Sequence, residues 1–305
     1  MLEFYSPGKL LITAEYLVLD GAKAFALPTQ KGQYMWVTPI EAPVLKWKSY
    51  THTQEVWMDV FLSVDTFECL EANGTPLSLV KKLQSILKCV RSLQPIFCSR
   101  GFKVQTSLDF DRSWGLGSSS TFINNLAQWA QVNPYKLLDK TFGGSGYDVA
   151  VAATKQVIFF VRNEYTPLVE SLSYNPSFND QLYFVHLNEK QDSQKEVAAY
   201  QKRTKPSNKQ IESINELTSL LVKASTLTQF NELITAHEKI IGSLLQQTPI
   251  KERLFSDFNG AIKSLGAWGG DFILATGNFC PTYFKEKGYA TVIRYDEMIA
   301  LKKPQ

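Results

Sequence analysis

A glycine-rich hexapeptide, Gly115-Leu116-Gly117-Ser118-Ser119-Ser120, joins two segments of different periodicity. Phe102–Asp109 alternates apolar and polar residues, as a half-buried strand does. Phe122–Gln131 is apolar and helix-like. The junction therefore reads as a strand, a glycine turn and a helix start. Backbone N–H groups at a helix start lack intrahelical partners, and the helix dipole adds positive potential, so an anion is favoured there. Gly115 and Gly117 permit close approach of a bulky anion. The hydroxyls of Ser118, Ser119 and Ser120 can donate to phosphate or take a place on Mg²⁺. No Gly-Lys-Ser/Thr is present, which excludes a Walker A loop. An ordinary Gly/Ser helix cap accounts for the same residues, so the segment by itself leaves both readings open.

The length of 305 residues suits two domains, or one large one, with a sizeable core. The net charge of +3 is nearly balanced, which argues against general nucleic-acid affinity and leaves room for a local basic cleft. The start Met-Leu-Glu-Phe-Tyr-Ser-Pro lacks the basic-then-apolar pattern of a secretory leader, and no apolar stretch reaches the ~20 residues of a membrane span. Cys69, Cys89, Cys98 and Cys280 are scattered without metal-ligand spacing, so reduced thiols in a cytoplasm are expected. His52, His186 and His237 are far apart and read as ordinary surface or core residues.

Strand signals fill the first half: Leu10–Leu19, Gln33–Ile40, Val44–Tyr50 and Val56–Ser63. Helical spacing of Val80, Leu83, Ile86, Leu87 and Val90 predicts a helix over Leu77–Leu93. A short helix is expected over Tyr147–Thr154, with strands at Gln156–Val161 and Gln181–Leu187. Gln194 to Ser264 reads largely as helix, broken near Thr204–Pro206 and Thr248-Pro249, with late strands at Gly269–Thr276 and Ala290–Arg294. The pattern is α+β rather than regular βαβ alternation, with a boundary near residues 155–185.

Three further segments carry glycines or charges in suggestive places. Ser6-Pro7-Gly8-Lys9 reads as a turn delivering Lys9 to the mouth of a buried strand that Glu15 interrupts. A solvated lysine and a wet-face glutamate are the ordinary alternatives. Gly144-Ser145-Gly146-Tyr147-Asp148 puts a carboxylate in the first turn of a helix, where it either caps the helix or serves a reacting group. Gly266-Ala267-Trp268-Gly269-Gly270-Asp271 precedes a strand and suits close approach to a ligand or a β-bulge.

The order of these four segments resembles the GHMP kinase superfamily over nearly the whole chain, with mevalonate and phosphomevalonate kinases as the most similar members. The start is similar to mevalonate kinases, with Ala14 and Tyr16 flanking Glu15 where those have Gly-Glu-His. Gly144–Ala150, the Gly-Gly-Asp ending at Asp271 and, more loosely, Asn188–Lys195 are similar to phosphomevalonate kinases.

The resemblance implies a two-lobed fold. A ribosomal-protein-S5-like N-terminal domain would cover residues 1–165 and a ferredoxin-like C-terminal domain residues 166–305. It implies ATP phosphates on Gly115–Ser120, Mg²⁺ on Ser119, and Asp148 and Lys9 as catalytic residues. Glu15, Ser145, Gly146, Gly266, Ala267 and Gly269 would bind the acceptor. Its partners are ATP and a small molecule, with no nucleic acid or membrane, and a homodimer is compatible with it. Two departures stand out. Asn133–Lys140 lacks the glutamate that mevalonate kinases use as a second metal ligand, Asp139 being its only acid. Trp268 replaces the middle glycine of the last motif, where it is expected to narrow the acceptor pocket or stack on its occupant.

Overall fold

The structure is a computed structural model and describes residues 1–189, 193–203, 205–268 and 270–300. Along the chain run β1 (Leu2–Leu11), β2 (Ala24–Pro39), β3 (Val44–Tyr50), β4 (Val56–Ser63), β5 (Cys69–Ala72), α1 (Leu77–Leu93), β6 (Phe102–Leu108), α2 (Ser118–Ala130), α3 (Pro134–Asp139), α4 (Tyr147–Thr154) and β7 (Val157–Val161). There follow β8 (Leu168–Leu172), β9 (Leu182–His186), α5 (Ser193–Gln201), α6 (Asn208–Lys223), α7 (Leu227–Leu245), α8 (Ile250–Leu254), β10 (Ile262–Ser264), β11 (Phe272–Thr276), α9 (Cys280–Glu286), β12 (Val292–Arg294) and α10 (Tyr295–Met298). The class is α+β, as expected. Two compact units interleave in sequence: Met1–Gly8, Lys31–Arg112 and Gly117–Ala153 form one, and Lys9–Gln30, Ser113–Leu116 and Thr154–Gln305 the other.

In the first unit, β3 alternates buried Leu45, Trp47 and Ser49 with outward Lys46 and Lys48, so one face must be covered. β3 pairs antiparallel with β4 and parallel with β6, and β6 pairs antiparallel with Gln33–Pro39 of β2. The apolar stripe of α1 (Val80, Leu83, Ile86, Leu87, Val90) covers that face, in one core with Val60, Val104, Ile123 and Leu126. Each such side chain contributes about 1.5–3 kcal/mol on burial. Helix α2 is held by polar bonds as well. The Asn125 amide donates to the Gln33 carbonyl at 2.9 Å, and the Ser6 hydroxyl donates to Asn125 Oδ1 at 2.7 Å. The middle of α2 is therefore tied to β1 and β2 in this unit.

In the second unit, Ala24–Ala26 of β2 pairs with β7, and β7 with β8. A separate antiparallel sheet has the order β10-β11-β9-β12. Tyr183, Val185, Ile262, Ile273 and Ala275 of this sheet share a core with Phe255, Phe258 and Phe284.

Several elements differ from the sequence reading. Pro7-Gly8 is not a turn but lies within β1, which pairs with β2. Glu15 is not in a strand. It follows β1 in a turn leading to a short 3₁₀ helix at Leu17–Asp20. The helical region ends at Leu254, and Ile262–Ser264 is a strand because it pairs with Ile273–Ala275. Helix α3 adds an element to that reading: Asn133 accepts from the N–H groups of Tyr135 and Lys136, and Pro134 opens the helix. Part of Asn188–Lys195, and Gly269, lie outside the described residues. Among the described residues no helix is long and apolar enough to cross a membrane.

Candidate functional site

Helix α2 starts from Gly117, which has φ 87°, and among the described residues no side chain caps it. Its first-turn N–H groups thus remain available, as an anion site requires. The three serines are not equivalent. Ser120 is buried and its hydroxyl donates back to the Gly117 carbonyl at 2.8 Å. Ser118 and Ser119 instead line an open cavity of about 180 Å³. Its apolar wall includes Trp57, Leu83, Ile86 and Phe122, and its charged lining is Lys82 and Arg112, with no carboxylate among the described lining residues. The Arg112 guanidinium stacks 4.0 Å from the Trp57 ring centroid, and the buried Trp57 Nε1–H has no hydrogen-bond partner among the described residues. An aromatic, cationic cavity beside an uncapped helix start has the chemistry to hold a flat base and an attached anion. Neither Trp57 nor Arg112 was singled out from the sequence, because a strand tryptophan carries no local mark of a cavity.

Asp148 lies in the first turn of α4, half-buried, and its Oδ1 accepts from the Val149 N–H at 3.0 Å. Gly146 precedes it with φ 89°, a conformation that favours glycine, and a Cβ there would stand 3.1 Å from the Tyr135 ring. Burial, with the Asp148 charge adding to it, pushes the Tyr135 hydroxyl up to about 12. Ser145 is half-buried beside this turn.

The second unit carries the other expected residues. Lys9 Nζ donates to the Gly115 carbonyl at 2.8 Å, and the Lys9 N–H donates to the Leu116 carbonyl at 3.0 Å. The lysine singled out at the chain start is thus bound to the glycine loop 106 residues away. Gly115 has φ 63°, and a Cβ there would lie 2.4 Å from the Asp271 carboxylate carbon. Asp271, only 8% exposed, is therefore packed on the glycine loop, a residue that the Gly-Gly-Asp signal offered and the expected site set omitted.

Glu15 was expected to touch substrate, yet it has no exposed surface. Lys263 Nζ donates to its Oε1 and, at 3.1 Å, to Glu238 Oε1. Burial pushes the Glu15 carboxyl up to about 7, against the opposing pull of Lys263. Burial also disfavours the Lys263 ammonium, but Glu15 and Glu238 outweigh it and hold its pKa above the ordinary value. Burial, aided by Lys263, holds His237 well below its ordinary range, which suits its Nε2 accepting from the Ala14 N–H at 2.9 Å. Trp268 likewise departs from expectation. Its indole is buried at 4% exposure, turned inward with Nε1 donating to Glu238 at 2.9 Å. Gly266 and Ala267 beside it are partly exposed.

Among the described residues no cluster of three His, Cys, Asp or Glu side chains gathers as a metal site. The exposed Ser119 hydroxyl nonetheless fits a Mg²⁺ that takes most of its ligands from phosphate and water.

This fold is shared with solved structures at low sequence identity. A crystal structure of mevalonate kinase matches with TM-score 0.70 over 98% of this chain and 99% of that one, at 16% identity. Streptococcus pneumoniae phosphomevalonate kinase in complex with phosphomevalonate and AMPPNP matches with TM-score 0.68 over 96% and 100%, at 15% identity. Lactococcus lactis galactokinase complexed with galactose matches with TM-score 0.66 over 98% and 93%, at 14% identity. By sequence, no protein-family model and no curated protein matches. The chain thus has the GHMP kinase fold. Mevalonate and phosphomevalonate kinases, the members that the sequence resembles, are among its structural neighbours.

Proposed function

We propose that the protein is an ATP-dependent kinase of small molecules that transfers the γ-phosphoryl group to mevalonate or 5-phosphomevalonate. The observation that carries this reading is the cavity at the start of α2, where Trp57, Arg112 and Lys82 stand beside Ser118 and Ser119. A nucleobase stacks in the aromatic part, and the phosphates follow toward the open N–H groups of α2 and Gly115–Ser120. Gly115 and Leu116 are held in place by Lys9, so that loop does not need to be ordered by the ligand.

In the reaction an acceptor oxygen forms a bond to the γ-phosphorus while the bond from that phosphorus to the β-bridging oxygen breaks, and ADP leaves. Asp148 orients the acceptor oxygen and, where this is a hydroxyl, takes its proton. Lys9 supplies positive charge to the transferring group. Mg²⁺, when bound, offsets phosphate charge, and the Ser119 hydroxyl is the group that would hold it. Ser145, Gly146, Gly266, Ala267 and Gly269 remain the proposed acceptor contacts.

The fold is also that of galactokinase, so a sugar or homoserine hydroxyl is the second reading for the acceptor. Diphosphomevalonate decarboxylase and a non-catalytic nucleotide binder are the remaining readings. ATP consumption with mevalonate, phosphomevalonate, homoserine and galactose, with the product identified, separates these. Turnover with mevalonate or phosphomevalonate is expected. Nucleotide binding without turnover on any acceptor would reject the kinase reading.

A further inference from the structure

Two short segments of the second unit concentrate strained backbone. Ala14 and Tyr16, on either side of Glu15, have φ 67° and 63°, and Trp268 and Asp271 have φ 56° and 51°. None is glycine, and each such residue costs of order 1–2 kcal/mol. Such strain persists where the surroundings over-determine it, and it marks functional segments.

A single buried network over-determines both segments. Lys263 Nζ donates to Glu15, to Glu238 and to its neighbouring Ser264 carbonyl, which uses all three ammonium protons. Glu238 also accepts from the Ser264 hydroxyl at 2.8 Å and from Trp268 Nε1 at 2.9 Å. On the other side, His237 receives the Ala14 N–H. Tyr16 then joins the two segments directly, its hydroxyl donating to the Ala267 carbonyl at 2.8 Å. Trp268 fits because α7 has a glycine opposite it: a Cβ at Gly242 would lie 3.2 Å from the indole ring.

A buried ion network of this kind is weak as a source of stability, since apolar side chains of similar volume serve as well. What it provides is fixed geometry. The surface above it is the part of the loop that faces outward: Gly266 and Ala267 are partly exposed, and a Cβ at Gly266 would meet no atom of the described residues within 4 Å.

We propose that Glu15, Lys263 and Glu238 are positioning residues that fix the Gly266–Ala267 backbone through Tyr16 and Trp268, and thereby set affinity for the acceptor rather than for the nucleotide. The acceptor part rests on the kinase reading above. Glu15 thus acts without touching substrate.

The test uses Glu15→Gln, which keeps the shape and removes the charge, and Tyr16→Phe, which deletes one hydrogen bond and leaves the buried charges intact. Amide hydrogen exchange at Leu265–Trp268, nucleotide Kd and acceptor KM are measured for each in the full chain. Both variants are expected to speed exchange at Leu265–Trp268 and to raise acceptor KM by about tenfold, with nucleotide Kd changed by less than about twofold. Unchanged exchange in both variants overturns the proposal, and so does an equal loss of nucleotide and acceptor affinity. If the unmodified protein turns over no acceptor, the kinase reading fails by itself. Exchange then still decides positioning: faster exchange in the variants supports it, and unchanged exchange rejects it.

Discussion

Glu15 and Lys263 lie 248 residues apart in sequence and form an ion pair in which neither side chain has exposed surface. Removing the cation leaves two buried carboxylates, Glu15 and Glu238, without it. Lys263→Met should therefore lose about 3–5 kcal/mol, while Glu15→Gln loses less. The double variant should be more stable than the sum of the two single losses, because they share one interaction. Urea denaturation of the four proteins measures the coupling, and strict additivity would count against the pair.

The same carboxyl gives the stability a pH signature. Its folded pKa of about 7 lies above the ordinary 4.5, so between these values the folded state binds more protons than the unfolded state. Stability from this group is therefore lost as pH rises from about 4.5 to about 7. His237 has the opposite sign. It stays neutral when folded, so the unfolded state binds its proton below the ordinary 6.5, and stability rises with pH up to that point. Glu15→Gln removes only the first effect. That variant should gain stability relative to the unmodified protein as pH rises through this window. Thermal denaturation at half-unit pH steps checks this, and a constant difference would contradict the assignment.

Gly115→Ala should impair nucleotide use. Its φ of 63° is costly for alanine, by about 1–2 kcal/mol, and the added methyl would fall on the Asp271 carboxylate. The loop must shift, and Lys9 loses its fixed acceptor at the Gly115 carbonyl. The expected result is a rise in ATP KM of about tenfold or more. Steady-state kinetics with varied ATP measures it.

At the chemical step, Asp148→Ala should lower kcat far more than it changes nucleotide Kd. A fall of about 100-fold or more fits the removal of a proton-accepting or orienting carboxylate. Ser119→Ala should instead raise the Mg²⁺ concentration needed for half-maximal rate. Turnover of Asp148→Ala at the unmodified level would remove that residue from the mechanism.

Trp57 offers a direct probe of the cavity, since its ring stacks under Arg112 and lines the space beside Ser118 and Ser119. Adding ATP should quench tryptophan fluorescence. Trp57→Leu should abolish most of the quench and weaken binding by about 5- to 150-fold, the worth of one base–aromatic stack.

Much of the architecture was legible in the order of residues. Helix α1 and strands β3 and β4 follow from the periodicities of Leu77–Leu93, Val44–Tyr50 and Val56–Ser63, because their burial depends on local alternation alone. Gly115–Ser120, Lys9, Gly146 and Asp148 were visible because glycines and charges interrupt apolar runs at characteristic places. Local sequence did not separate Ser120, whose hydroxyl is consumed within its helix, from Ser118 and Ser119, which line the cavity. Nor did it show that Glu15 is buried: a glutamate after an apolar strand ordinarily faces water, and only a lysine 248 residues away makes its burial tolerable. Trp268 replaces a glycine in its motif and looked like a pocket residue, but Gly242 on α7 makes room for it and Glu238 satisfies its N–H. The sequence by itself determined which segments are special and which periodicity each element follows. Tertiary structure decided which special residues line a cavity and which are buried in a polar network, because partners distant in the chain govern desolvation and hydrogen bonding.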